Sequence, residues 1–283
     1  MPEPNHANVV RGLASDLAPV EYPHELALIL LAHVLGKPKT WLLAHPETHL
    51  TARQQAQLDD LTTRLKAGEP LPYLLGEQDF FGLSFKVTPD VLIPRPETEL
   101  LVQLALDWLL RHDAAASVAD IGTGSGCIAC CLAVHMPSLR VAAVDVSDKA
   151  LAVARQNAER HHVSNQIHFS NADLLPEDGQ LFDLVCANLP YIPSAKLAEV
   201  NTLGFEPLLA LDGGPDGLVL IHRLLEGLQV RLNSSSLVLL EIESSLGPET
   251  LSLAKTAFPH ASVGLHQDLA GLDRVVSIEL GVE

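Results

Sequence analysis

Apolar positions through about residue 70 recur at helical spacing and never alternate. Tyr22 to Leu35 is apolar around most of a helical surface, with Leu26, Ala27, Leu28, Ile29, Leu30 and Leu31 in one run. Thr51 is placed to cap a helix over Ala52–Lys66, and Gly68 to stop it. A side-chain oxygen satisfies free amides at one end, and glycine turns the chain at the other. A helical bundle over residues 1–76 is the simplest packing for such segments. The period then shortens. Asp79 to Val87 reads as a hairpin with glycine at its turn, and Pro89 and Pro94 punctuate a connection that completes residues 77–95. Residues 96–283 form the last region, opened by Pro96 and a helix over Glu97–Arg111. Short apolar runs follow at Ser117–Ile121, Arg140–Asp145, Gln166–Phe169, Leu181–Ala187, Leu237–Ile242, Ser262–Leu265 and Arg274–Leu280, mostly with helices between them. Seven strands alternating with helices predict an α/β fold: a mainly parallel sheet covered on both faces. His266–Asp273 is too polar and too short for a crossover helix, so the last two strands should run antiparallel.

Composition narrows the classes. Hydrophobic residues make up 47% of the 283, and charged residues 19%, an ordinary globular balance. The net charge is −17, spread along the chain. An acidic chain with no basic stripe is ill suited to nucleic acid, whose phosphates are bound by Lys/Arg clusters. No apolar run nears the ~18 residues of a membrane span. The start, Met1-Pro2-Glu3-Pro4-Asn5, has no basic segment leading into an apolar one, so no signal peptide is expected. The four cysteines are too few for a disulfide scaffold, and a cytoplasmic monomer is expected. Cys127, Cys130 and Cys131 crowd an apolar helix, which favours core packing over a redox or metal site; no metal is expected.

Candidate chemistry begins at Gly122-Thr123-Gly124-Ser125-Gly126, between the strand Val118–Ile121 and the helix Cys127–His135. Glycines at a strand-to-helix turn admit a ligand close to the backbone, and helix-start amides favour an anionic group. The spacing is neither the dinucleotide Gly-x-Gly-x-x-Gly nor a phosphate loop, and it suits a small carboxylate. Asp145 ends the next strand, where an acid accepts from ribose hydroxyls, and Asp173 follows the third, where it could receive an adenine amino group. With Asp120 in the first strand, acids at three successive strand ends suggest a nucleoside without a polyphosphate.

Asn188-Leu189-Pro190-Tyr191 leaves the end of the strand at 181–187. Pro190 holds Leu189 extended and so presents its carbonyl. That carbonyl and the Asn188 carboxamide oxygen together can accept both protons of an –NH₂ group, and Tyr191 offers a flat face. Such a pocket selects a planar amine, either an amide or a nucleobase amine.

Asp120–Gly126 resembles the binding loop of class I S-adenosylmethionine-dependent methyltransferases, and Asn188-Leu189-Pro190-Tyr191 resembles the Asn-Pro-Pro-Tyr motif of those acting on planar amines. Three further stretches narrow the match. They are Arg64–Pro70 with Tyr73 and Gly76, Ile93-Pro94-Arg95-Pro96-Glu97-Thr98-Glu99, and Asp268–Gly271 before Asp273-Arg274-Val275. With these, nearly the whole chain resembles the release factor glutamine methyltransferases (the HemK/PrmC family). The resemblance implies a Rossmann-like seven-stranded class I methyltransferase domain, a parallel sheet with an antiparallel last strand, preceded by a helical domain that docks the substrate. It implies methyl transfer from S-adenosyl-L-methionine to the amide nitrogen of the glutamine in the Gly-Gly-Gln loop of peptide chain release factors. Carried over by position, Gly122, Thr123, Gly124, Ser125 and Gly126 would hold the methionine part, Asp145 the ribose, and Asp173 with Leu174 the adenine. Asn188 would meet both cofactor and target amide. The Leu189 carbonyl would share that amide, with Pro190 and Tyr191 completing the catalytic segment, while Pro94 and Arg95 shape the entrance. Leu189 replaces the family's usual first proline, Glu241–Ser245 lacks a common glycine and glutamine, and Leu272 replaces a frequent basic residue. Rival readings are a nucleic-acid adenine methyltransferase, a glutamine methyltransferase of a ribosomal protein, and a cofactor-binding module without turnover.

Overall fold

The computed structural model describes residues 6–18, 20–112, 116–200 and 204–281; the Met1–Asn5 segment lies outside them. The chain divides into two compact units, Met1–Gly76 and Glu77–Glu283. The first holds five helices: α1 (His6–Asp16), α2 (Pro23–Leu35), α3 (Lys39–Ala44), α4 (Ala52–Lys66) and α5 (Leu71–Leu75). Their core is leucine: Leu17, Leu30, Leu31, Leu42 and Leu58 are essentially inaccessible. Thr51 caps α4 reciprocally with Gln54, the side chain of each satisfying a backbone amide of the other.

The second unit opens on a hairpin, β1 (Glu77–Phe80) and β2 (Leu83–Lys86). Phe81 and Gly82 both take positive φ, the two-residue turn whose twist matches paired strands. The Phe81 amide donates to Glu99 Oε1 at 2.8 Å, which ties the turn to α6 (Thr98–Leu109). Seven strands then form one sheet: β3 (Ser117–Ile121), β4 (Arg140–Asp145), β5 (Ile167–Asn171), β6 (Phe182–Ala187), β7 (Leu232–Glu241), β8 (Ser262–Gln267) and β9 (Asp273–Leu280). The spatial order is β5-β4-β3-β6-β7-β9-β8. β3 to β7 run parallel, and β9 lies antiparallel between β7 and β8. The antiparallel pairing of the last two strands matches the sequence reading. The insertion of β9 beside β7 is a long-range choice that chain order does not reveal.

Between the strands run α7 (Cys127–His135), α8 (Asp148–Arg160), α9 (Leu197–Val200), α10 (Val219–Leu228) and α11 (Gly247–Ala257). Both faces of the sheet are covered. Val118, Val141 and Leu184 pack with α6 and α7, while Ile121, Val144 and Val185 pack with α10. Strands buried on both faces read as continuous apolar runs, which is why they were visible in the sequence. β7 is longer than expected, because its polar start, Leu232 to Ser236, is carried by pairing rather than hydrophobicity. Leu232 pairs with Phe182, and Asn233 Nδ2 donates to Asp183 Oδ1 at 2.6 Å. The cysteines Cys127, Cys130 and Cys131 are core residues of α7, and burial raises their thiol pKa values. Among the described residues, no helix is long and apolar enough to cross a membrane.

One buried side chain joins hairpin, helix and glycine turn. Asn157 on α8 is fully buried; its Oδ1 accepts from the Lys86 amide at 2.7 Å. Its Nδ2 donates to the carbonyls of Lys86, at 3.0 Å, and Ser125, at 2.8 Å. Replacing it by alanine strands one buried and two part-buried backbone groups, at up to ~1–3 kcal/mol apiece and less where water can reach them. Asn157→Ala is expected to lower unfolding free energy by roughly 2–4 kcal/mol in a urea titration.

Candidate functional site

The ends of β3, β4 and β6 are neighbours in the sheet, and their exits line one cavity of about 360 Å³. It brings together Gly122, Thr123, Gly124, Ser125, Asp145, Asp173, Leu174, Asn188, Leu189, Pro190, Pro94 and Arg95. Gly126 and Tyr191 are not among its lining residues. Gly126 sits instead where α7 meets α8, with the place of its missing Cβ 3.0 Å from the Ala154 methyl.

The glycine turn is held from inside. Gly122 and Thr123 amides both donate to the Val144 carbonyl, at 2.8 and 2.9 Å, and Gly126 donates to Thr123. Gly124 donates to Asp145 Oδ2, and Ser147 to Asp145 Oδ1, both at 2.9 Å. The Ala129 amide, in the first turn of α7, donates to Asp120 Oδ2 at 3.1 Å. The expectation of free amides awaiting an anion is therefore realised only in part, because the protein's own oxygens already satisfy most of this turn. Asp145 straps the turn to β4 and still has lone pairs on both oxygens. Burial raises its pKa against the pull of those amides.

Asp120 lies beneath. It is completely buried, accepts from Thr123 Oγ1 at 2.6 Å through Oδ2, and leaves Oδ1 without a partner among the described residues. Burial first, and the charge of Asp145 last, push it up to about 6. The sequence reading passed over Asp120 except as part of the motif, since one acid in an apolar strand has no periodic signature.

The opposite wall is Asn188-Leu189-Pro190. A Cβ on Gly122, whose φ is +71°, would meet Leu189 Cδ2 at 3.0 Å and the Asn188 carbonyl oxygen at 3.8 Å. Glycine thus suits both the left-handed backbone at 122 and the close approach of the two motifs, where a side chain would press on Leu189. Asn188 Nδ2 donates to Thr98 Oγ1 at 3.1 Å. Thr98 and Arg223 also line the cavity; Arg223, from α10, pairs with Asp173 Oδ2 at 2.7 Å. Leu174 takes a φ of +70°, an uncommon strain for a branched residue and one that often marks a ligand site. Arg95 pairs with Glu206 at 2.6 Å, fastening the entrance segment to the loop that brings Pro207, Leu209 and Ala210 to the cavity. Tyr191 is partly buried beside a charged cluster, and burial followed by Glu241 pushes its phenol up to about 12.

Comparison with known proteins fits this architecture. Residues 9–76 match the PrmC N-terminal domain, and residues 97–202 the Methyltransferase small domain. A release factor glutamine methyltransferase of Bacillus anthracis is 38% identical over 89% of this chain and 91% of its own. One from Moorella thermoacetica is 40% identical over 94% of this chain and 93% of its own.

The chain belongs to the release factor glutamine methyltransferase family.

It is therefore a methyltransferase. The 16S rRNA N2 G1207 methyltransferase RsmC of T. thermophilus, solved with AdoMet and guanosine, shares the fold at a TM-score of 0.53 and 17% identity. It covers 72% of this chain and 49% of that one.

A second glycine cluster, not singled out in the sequence, supports the Asn188–Tyr191 segment. Ile192 donates to the Leu211 carbonyl at 3.0 Å, and Gly213 to the Ile192 carbonyl at 2.9 Å. A Cβ on Gly213 would sit 2.7 Å from Tyr191 Cα and 2.8 Å from the Pro190 carbonyl oxygen. The run Gly213-Gly214-Pro215-Asp216-Gly217 was the available signal. Gly217 combines φ +83° with a Cβ position that runs into the Tyr191 carbonyl, whereas Gly179, at φ +77°, has nothing within 4 Å. Gly179→Ala is expected to cost only the ~1–2 kcal/mol of a left-handed residue and to retain turnover. Gly217→Ala should cost more in the same denaturation assay and also lower the methyl-transfer rate, because the Pro190–Tyr191 backbone must shift.

Proposed function

We propose that this protein transfers a methyl group from S-adenosyl-L-methionine to the side-chain amide nitrogen of the glutamine in the Gly-Gly-Gln loop of peptide chain release factors. The observation that carries the reading is the single chamber shared by the glycine turn and Asn188-Leu189-Pro190; in this reading the turn serves the nucleoside and the second segment the planar amine. Family membership supplies glutamine as the amine.

The residues fit such a donor. The cavity is within the usual range for small-ligand sites, ~300–1,000 Å³. Asp145 has spare acceptor capacity for ribose hydroxyls, and Asp173 and Leu174 stand at the next strand exit for an adenine ring. Gly122 to Ser125 would carry the methionine end. Bound there, S-adenosyl-L-methionine supplies an electrophilic methyl on a sulfonium.

An amide nitrogen is a poor nucleophile, because its lone pair is delocalised into the carbonyl. Asn188 Oδ1 and the Leu189 carbonyl accept its two protons, fix it in line with the methyl, and stabilise the positive charge that grows on nitrogen. A backbone carbonyl serves as well from leucine as from the family's usual proline. Transfer would break the sulfur–methyl bond as the nitrogen–methyl bond forms and leave the donor a neutral thioether; the nitrogen proton, made acidic by that change, would pass to solvent, so no strong base is needed first. The release factor is the protein partner in this reading, which places the protein in the cytoplasm; the net charge of −17 disfavours a nucleic-acid substrate.

Incubating protein, labelled donor and release factor, then mapping the product by mass spectrometry, should find one methyl group on the Gly-Gly-Gln glutamine. Label on DNA or RNA instead would overturn the assignment. Asn188→Ala should still bind the donor in calorimetry, at somewhat lower affinity, yet turn over roughly 10²-fold more slowly or worse at saturating donor.

A further inference from the structure

A buried acid stands behind Asn188. Ala187 on β6 pairs with Leu240 on β7, so the next residues, Asn188 and Glu241, leave adjacent parallel strands side by side. Glu241 is 2% exposed, is not among the residues lining the cavity, and has no hydrogen-bond partner for Oε2 among the described residues. An isolated buried carboxyl is costly, and the reaction as described above makes no use of it.

Its neighbours show what it can do. The Thr98 hydroxyl accepts from Asn188 Nδ2 at 3.1 Å and has one proton left to give, and hydrogen bonds from both Thr98 and Asn188 work on the Glu241 carboxyl against the effect of burial. A hydroxyl alone does not decide which way a carboxamide faces, since it can donate to the oxygen or accept from the nitrogen. A carboxylate only accepts. While Glu241 claims the Thr98 proton, Thr98 must accept from Nδ2, and Asn188 Oδ1 is left free for the cavity.

We propose that Glu241, in its ionised form, is a positioning residue that acts on Asn188 directly and through Thr98, orienting the Asn188 carboxamide with its oxygen toward the target amide. The inference rests on the amide-binding role proposed for Asn188.

Several groups face Glu241. Glu97, just before α6, raises its pKa, while Thr98, Asn188 and Arg274 of β9 lower it; burial outweighs them all and the carboxyl is pushed up to about 7. Arg274 is itself bonded to Asp268 at 2.8 Å and stays charged. Tyr191 and Cys127, which feel the charge of Glu241, are both raised to about 12 and stay protonated near neutrality. Below about 7 the protonated Glu241 becomes a donor, Thr98 is released from its role, and the orientation of Asn188 is lost. Turnover should therefore fall as pH drops through about 7. The linkage to stability has the opposite sense. The folded pKa lies above the unfolded 4.5, so stability present below 4.5 is lost as pH rises through about 7.

The test compares wild type, Glu241→Gln, Thr98→Val and Thr98→Ser. Donor affinity is measured by calorimetry, kcat and KM for the release factor across pH 5.5–9, and melting temperature across the same range. Glu241→Gln should keep donor affinity, lose roughly tenfold or more in kcat and lose the limb near pH 7. Its melting temperature should rise relative to wild type above that pH. Thr98→Val should shrink that limb, and Thr98→Ser keep it; a limb unchanged in Thr98→Val overturns the route through Thr98 even if the Gln variant does not fold. Unchanged kcat and limb in Glu241→Gln would overturn the inference. So would a melting temperature lowered at every pH in step with kcat, which marks a purely structural role. A wild type that methylates no glutamine overturns the proposed function and this inference together. A wild type that does, beside an indistinguishable Glu241→Gln, overturns this inference alone.

Discussion

The glycine turn after β3 lies close against the loop after β6, with glycine at 122 in a left-handed backbone; a Cβ there would press on Leu189 at 3.0 Å. The site depends on that contact. It makes one chamber of two strand exits and puts the glycine turn beside the Asn188-Leu189-Pro190 segment. Supports converge on it from elsewhere in the catalytic unit. Asn157 holds Ser125 from below, Asp145 straps Gly124, and the glycine run at 213–217 grips the backbone of Pro190 and Tyr191.

The polar groups around that contact are placed at a cost. Asp120 and Glu241 are both almost fully withdrawn from water, and each has one oxygen without a partner among the described residues. Burial disfavours their charged forms and raises both pKa values. A chain selected for stability alone would place amides or apolar residues there. Each acid lies one step behind a residue that lines the cavity, Asp120 behind Thr123 and Glu241 behind Thr98 and Asn188. The expense therefore falls where orientation of the site is set.

Paired charges divide the labour differently. Arg95–Glu206 and Arg223–Asp173 lie at the cavity with substantial solvent exposure, where an ion pair adds little to stability. Their value is positional. The first anchors the Pro94–Arg95 segment to the loop bearing Pro207, and the second holds the acid assigned to the adenine ring beside α10. The exposed leucines 208 and 209 lie on that same loop, with Leu209 lining the cavity.

Much of this was legible in the chain itself. Apolar runs buried on both faces announce parallel strands, the Thr51 cap and the Gly82 turn are local chemistry, and the glycine and Asn-Leu-Pro-Tyr motifs state their own geometry over a few residues. Each signal is short-range, so a linear pattern can hold it. The rest joins residues far apart in sequence: Gly122 with Leu189, Asn157 with Lys86, Thr98 with Asn188, Asp173 with Arg223, and β9 with β7 ahead of β8. Glu241 ends an apolar strand and looks like a boundary residue until the sheet register sets it beside Asn188. Sequence by itself determined the elements and the chemistry at each strand tip. Only the tertiary structure decided which tips meet and which buried acids stand behind them, because strand order and side-chain burial are set by pairing and packing over the whole sheet.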